Sequence, residues 1–245
     1  MSTRPTTTRA SWWPLVLGGV LSLVLAGGLV VGLGDGDDAA PNESGTPQTG
    51  GVSDEMRELG ASLARRDSGD PMAVGDADAP VVLIAYSDYQ CPYCQKWVQE
   101  TQPELVERYV EEGEMRIEWR EFPYMGEASR TLAVGARAAA EQDMFWEYHG
   151  TVYEAMEELK GAGPQLEERV AELAAEAGLD RDRFAEDLDR EDLAAEVDAD
   201  FSEGQQIGVN GTPAFLINGD PVMGAQPLPT FTSSIDDALA AAEEG

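Results

Sequence analysis

Cys91 and Cys94 are the two cysteines of the chain, with Pro92 and Tyr93 between them. Sulfurs at this spacing can close a disulfide, exchange it with other thiols, or supply half of a metal site. A structural disulfide across so few residues would close too small a loop to constrain the unfolded chain much. A metal site would need two further ligands, and the other good donor, His149, lies far along the chain on a helical pattern. Redox exchange has the local sequence on its side. Val81–Tyr86 is a continuous apolar run with β-branched residues, the pattern of a strand buried on both faces. A helical pattern continues from Cys94 through Trp97 and Val98. Cys91 then becomes a helix N-cap and Pro92 the first helical residue, where proline costs nothing. The Cys91 sulfur would face free backbone N–H groups and the positive end of the helix dipole, both of which favour thiolate over thiol. Cys94, one turn inside, would be more shielded and within reach of Cys91.

This pair predicts a reaction. In the oxidised form a substrate thiolate attacks the Cys91 sulfur, a mixed disulfide forms, and Cys94 leaves as a thiolate. A second substrate thiol resolves the mixed disulfide, leaving the substrate oxidised and the protein reduced. The two sulfurs suffice, so no cofactor and no metal is expected.

The elements that must position the pair follow the same pattern. Met115–Phe122 alternates Met, Ile, Trp and Phe with charged residues and reads as a second strand, so the order around the cysteines is strand, helix, strand. Pro103 interrupts the intervening helix. From Glu127 to Gln206 the chain is helical in pattern, with separate helices over Thr131–Ala140, Phe145–Met156, Leu166–Ala177 and Phe184–Phe201. Pro213–Ile217 then reads as a strand, Asn218-Gly219-Asp220 as a hairpin turn, Pro221–Met223 as its partner, and Leu228–Ala242 as a closing helix. His149, among Phe145, Trp146 and Tyr148, has the setting of a packing or capping residue rather than a catalytic base.

At the other end of the chain, Pro14–Leu33 contains no charged side chain. Twenty such residues make roughly 30 Å of helix, the thickness of a bilayer core. Trp12 and Trp13 stand at its start, Arg4 and Arg9 precede it, and Asp35, Asp37 and Asp38 follow it. This arrangement predicts a cytoplasmic N-terminus over residues 1–13, a transmembrane helix over 14–33, and an extracytoplasmic linker with a short helix over 34–69. The redox domain, 70–245, would lie outside the cytoplasm. The alternative is a cleaved signal peptide ending near Val24-Leu25-Ala26, against which the apolar run continues through Leu29, Val30, Val31 and Leu33. Sixteen basic residues against forty-seven acidic ones leave a net charge of −31. Such a surface repels phosphate backbones, so nucleic acid is not an expected partner.

Over roughly Asp70 to Ala242 the chain resembles the DsbA-like branch of the thioredoxin superfamily. The resemblance rests on Ser87-Asp88-Tyr89-Gln90-Cys91-Pro92-Tyr93-Cys94, on the long helical stretch, on Phe145–His149 within it, and on Gly208–Phe215 followed by Asn218-Gly219. It implies an α/β fold: a thioredoxin-like mixed sheet with a helical subdomain, about 127–206, inserted between its two halves. It also implies that Pro213 is cis and faces the cysteines, and that Thr212 offers its backbone to an extended substrate peptide. Glutaredoxins share Cys-Pro-Tyr-Cys but lack so long an insertion. The implied activity is oxidation of cysteine pairs in exported proteins, with reoxidation by a quinone-linked membrane protein of DsbB or vitamin-K-epoxide-reductase type. A reductase or isomerase on the same fold, and a membrane-tethered binding or chaperone module without turnover, are the alternatives. One departure concerns the buried carboxylate that related proteins often carry six positions before the first cysteine. That position is Ala85 here, so proton exchange with Cys94 must use water or another group.

Overall fold

The apolar run at Val81 becomes the central strand of a five-stranded mixed sheet in the computed structural model, which describes residues 54–244. In chain order the elements are α1 (Asp54–Ser62), β1 (Ala73–Val74), β2 (Val81–Ser87), α2 (Pro92–Glu100) and α3 (Gln102–Leu105), then a π-helical turn at Val106–Val110 and β3 (Met115–Glu121). The helices α4 (Glu127–Ala140), α5 (Phe145–Glu154), α6 (Met156–Leu159), α7 (Leu166–Glu176), α8 (Arg181–Asp187) and α9 (Glu191–Gln206) follow. The chain then returns to the sheet with β4 (Ala214–Ile217) and β5 (Asp220–Met223), and closes with α10 (Leu228–Glu244). Strand order is β1-β3-β2-β4-β5. β2 and β3 are parallel, as a helical crossover requires, and the other pairs are antiparallel. The transmembrane helix expected at 14–33 lies outside the described residues. Among those described, no helix is long and apolar enough to cross a membrane.

Every residue of β2 is buried, because both sheet faces are covered. On one face Val81, Leu83 and Ala85 join Trp97, Trp119, Phe215 and Phe231 in the main core. Trp97 of α2 lies against Phe215 of β4 with ring centroids 4.7 Å apart, and Phe215 meets Phe231 of α10 edge-on. Such aromatic pairs add about 0.5–1.5 kcal/mol each beyond the area they bury. They fix α2, and with it the cysteines, to the sheet. On the opposite face Val82, Ile84 and Tyr86 pack with Phe122 and Ala214.

β3 departs from what its alternating sequence suggests of a half-exposed strand, since all seven residues are buried. Its charged side chains are satisfied by one another and by neighbours. Glu118 accepts from the Arg65 and Arg66 backbone N–H groups, from Arg116 and from Arg120. Burial alone would raise its carboxyl pKa. The donors outweigh burial and hold it below the usual range.

Three local expectations are corrected. Phe184–Phe201 is not one helix: the chain breaks between Asp187 and Glu191 into α8 and α9, and Asp180 caps α8 by accepting from the N–H groups of Asp182 and Arg183. Phe145–Met156 likewise divides at Ala155. Pro213 does not begin the strand, which starts at Ala214.

Candidate active site

Cys91 caps α2 with an extended backbone, and Pro92 follows in the first turn. Its sulfur makes no side-chain cap hydrogen bond in the dithiol form. It is 5% exposed, while the side chain of Tyr93 beside it is in solvent. Cys94, within the first turn, is fully buried. The two sulfurs therefore sit in unlike surroundings, at the N-cap and the third residue of one helix, as the sequence predicts.

Their acidities diverge accordingly. Cys91 is lowered to about 6, first by the hydrogen bond from Cys94, then by Thr212 and the N–H groups of Cys94 and Tyr93, all against partial burial. Cys94 is pushed well above the ordinary thiol value by burial, and further by its hydrogen bond to Cys91 and by repulsion from the Cys91 charge. One proton shared between two sulfurs explains both directions: it resides on Cys94 and is donated towards a Cys91 thiolate.

Thr212 arrives from the far half of the chain. The Thr212–Pro213 peptide bond is cis, and the Thr212 carbonyl accepts from the Cys91 thiol at 3.3 Å. Pro213 is buried and its carbonyl accepts from the Gly224 N–H at 2.8 Å, which ties the loop to the end of β5. All six residues singled out in the sequence, Cys91, Pro92, Tyr93, Cys94, Thr212 and Pro213, thus meet at one end of the sheet.

The loop between β2 and α2 is held from several sides. Asp88 is buried and accepts from the N–H groups of Gln90 at 2.7 Å and Met125 at 2.8 Å. Burial raises its pKa, and these donors oppose the rise. Tyr153 of α5 lies 3.0 Å from the Ser87 hydroxyl and donates to the Asp88 carbonyl at 3.2 Å. Gln95 of α2 donates to the Tyr153 carbonyl at 2.7 Å. The helices between β3 and β4 therefore form a wall behind the cysteines. His149 belongs to that wall: it is buried against Trp119 with centroids 4.3 Å apart, and burial lowers its pKa to about 3. It stays neutral and serves packing.

Ala85, the position without a carboxylate, is fully buried between Trp119 of β3 and Phe215 of β4. Sequence reasoning missed two polar neighbours of the buried sulfur: Ser87 and Tyr153. Ser87 stood in the quoted motif without a role. Tyr153 comes from α5, about sixty residues further along the chain, and no local signal pointed to it.

The Thioredoxin family model matches residues 67–237 of this chain. The probable disulfide bond formation protein D of Bacillus anthracis is 27% identical over 168 residues, covering 64% of this chain and 76% of that protein. The Na(+)/H(+) antiporter NhaA 3 of Salinispora tropica is 31% identical over 170 residues, which are 69% of this chain but only 24% of that longer protein. The chain thus spans about a quarter of the antiporter relatives it matches. Among solved structures, oxidised BdbD of Bacillus subtilis superposes with a TM-score of 0.62 at 22% identity, covering 70% of this chain and 94% of that one. The alpha-DsbA1 of Wolbachia pipientis gives a TM-score of 0.64 at 22% identity, covering 70% and 92%. These two likenesses carry the fold. The chain belongs to the thioredoxin family.

Proposed function

We propose that the protein introduces disulfides into exported proteins through Cys91 and Cys94. The observation that carries this reading is the divergence of the two thiols. A Cys91 thiolate stable near neutral pH makes the reduced protein a good product, so the disulfide form gives up its bond readily. The substrate thiolate bonds to the Cys91 sulfur, the bond to Cys94 breaks, and Cys94 keeps the electron pair. The second substrate thiolate then attacks the substrate sulfur and expels Cys91 as a thiolate. Pro92 and Tyr93 shape the approach, and Thr212 with Pro213 lines the groove for the substrate backbone.

Disulfides persist outside the cytoplasm, so a helix over 14–33 would hold this domain on the outer face of the membrane. Recovery of the full chain in the membrane fraction, with its domain digestible from outside intact cells, is the expected result; a soluble mature form beginning near Gly27 would defeat the anchor. Net oxidation also needs an electron acceptor, for which a quinone-linked membrane protein of DsbB or vitamin-K-epoxide-reductase type fits the chemistry. The deciding measurement is the reduction potential of the pair. Potentials on this fold span roughly −270 to −120 mV. A value near the upper end supports oxidation, and one near the lower end assigns the protein to reduction.

A further inference from the structure

Tyr153 is a buried polar group that the exchange steps do not use. It stands in the last turn of α5, within the helical insertion, yet it bonds to the chain on both sides of the cysteine pair. Its hydroxyl donates to the Asp88 carbonyl at 3.2 Å and lies 3.0 Å from the Ser87 hydroxyl. Its own carbonyl accepts from the Gln95 side-chain amide at 2.7 Å. Asp88 stands shortly before Cys91, and Gln95 directly follows Cys94.

Each contact has a local cause. The Asp88 carbonyl already accepts from the Cys91 N–H at 3.1 Å, which closes the turn that sets Cys91 at the head of α2. A carbonyl oxygen has two lone pairs, and the Tyr153 hydroxyl takes the second. Carbonyls in the last turn of a helix lack intrahelical donors, and Gln95 supplies one to α5. The Gln95 N–H is meanwhile bonded to the Cys91 carbonyl at 3.1 Å, so Gln95 belongs to the turn that carries both sulfurs. The Tyr153 ring is fully buried, with ring centroids of Tyr89 at 4.9 Å, His149 at 5.0 Å and Trp119 at 6.2 Å. Packed on three sides, the ring cannot swing, and its hydroxyl is a fixed point.

That fixed point bears on the chemistry. To close the disulfide, the Cys94 sulfur must meet the Cys91 sulfur in line with the bond that breaks. Attack within one molecule is fast only while the reacting atoms are held in that geometry. We propose that Tyr153 is a positioning residue for disulfide closure: by gripping Asp88 and Gln95 it holds the Cys91 turn and the first turn of α2 in the placement from which Cys94 attacks. This deepens the reading of Cys91–Cys94 as the exchanging pair and rests on it. In a mixed disulfide between Cys91 and a small thiol, Cys94 first loses its proton to water. Its sulfur then bonds to the Cys91 sulfur, the bond to the small thiol breaks, and that thiol leaves with the electron pair and takes a proton from water. Cys94 is oxidised and the small thiol is reduced. Tyr153 exchanges neither electrons nor protons. Through it the helical insertion sets the rate of a step carried out by the other half of the fold.

The test is oxidation of the dithiol full chain by glutathione disulfide, for the parent, Tyr153→Phe, Gln95→Ala and the double variant. Acid quenching and mass spectrometry separate formation of the glutathione mixed disulfide, which depends on glutathione disulfide concentration, from closure, which does not. Each single variant is expected to form the mixed disulfide within about twofold of the parent rate and to close it about tenfold more slowly. The double variant should close about as slowly as the singles, because both bonds serve one placement. Thermal unfolding checks that Tyr153→Phe, which keeps the ring, remains folded; if it does not, Gln95→Ala decides. Parent-like closure in the folded variants would overturn the assignment. So would equal slowing of both steps, which a merely structural role would produce. A parent that glutathione disulfide does not oxidise would overturn the exchange reading as well.

Discussion

Thr212 presents two groups of opposite effect to Cys91: a carbonyl that accepts from the thiol at 3.3 Å, and a side chain that lowers the sulfur's pKa by hydrogen bonding to it. The carbonyl favours the protonated sulfur and the hydroxyl favours the thiolate. One residue therefore sets the balance between a sulfur that rests and a sulfur that attacks.

Replacing Thr212 by Val keeps the shape and the carbonyl but removes the hydroxyl. A hydrogen bond to a charged group is worth about 1.5–3 kcal/mol, and 1.36 kcal/mol corresponds to one pH unit. Allowing for solvent near Cys91, the midpoint of its ionisation should rise by about one pH unit. Thiolate absorbance in the ultraviolet as a function of pH measures it. A midpoint that stays near 6 would show that the hydroxyl does not contribute.

The unequal burial of the sulfurs makes their reactivities unequal. Iodoacetamide should label Cys91 half-maximally near pH 6, while Cys94 stays unlabelled in the folded dithiol. Cys94→Ser should trap mixed disulfides with clients through Cys91, because the resolving sulfur is gone. Faster labelling of Cys94, seen by peptide mass mapping, would reverse the roles of the two residues.

The same shifts link stability to pH. Cys91 is depressed on folding, so its stabilising contribution to the dithiol form is complete above the unfolded thiol value of about 8.5 and is lost as pH falls through about 6. Cys94 is raised, so its contribution is present below about 8.5 and declines only above it. Between these limits Cys91 governs. The melting temperature of the dithiol form, less that of the disulfide form, should increase from about pH 6 to about pH 8. A difference that is flat or falls across this window contradicts the assignment.

The wall of helices behind the site is closely packed at Gly135 of α4. An added Cβ there would overlap the Tyr148 hydroxyl and come within 3.1 Å of the Phe184 ring. The Tyr148 hydroxyl is held by the Leu132 carbonyl at 3.0 Å and has no room to retreat. Alanine in a helix normally gains about 1 kcal/mol over glycine, but overpacking a core costs about 1–3 kcal/mol. Gly135→Ala should therefore destabilise on balance, with a lowered urea midpoint as the readout. A raised midpoint would show that α4 and α5 can separate at no cost.

The redox pair was legible in the sequence because its chemistry is local. An apolar run, a Cys-Pro start and a helical pattern lie within the eighteen residues Val81 to Val98, and each has a physical meaning by itself. The hairpin at Asn218-Gly219 was legible for the same reason, and Asn218 adopts the positive φ its turn demands. What escaped depends on distant partners. β1 is two residues long, too short for any period, and exists because Ala73 and Val74 find Glu118 and Ile117. Glu118 and Arg120 read as the outward side of an alternating strand, and Glu121 as its charged end. They are buried because Arg65, Arg66, Asp200 and Glu203 come from elsewhere to meet them. Burial of charge depends on its partners, and a window of neighbouring residues does not contain them.

The position of β2 between strands that both follow it in the chain has a consequence in time. A polypeptide emerging from its N-terminus exposes Cys91 long before Thr212, which comes 121 residues later, and before β4, the second neighbour of β2. Until that hairpin docks, Cys91 lacks the Thr212 hydroxyl and the sheet lacks the strand that carries Phe215 against Trp97. During synthesis the pair has its local helix-end and Cys94 contributions to draw on, but not that of Thr212. Their full acidity arrives with the last segments of the fold, so the growing chain withholds its own reactivity until the groove that directs it has been assembled.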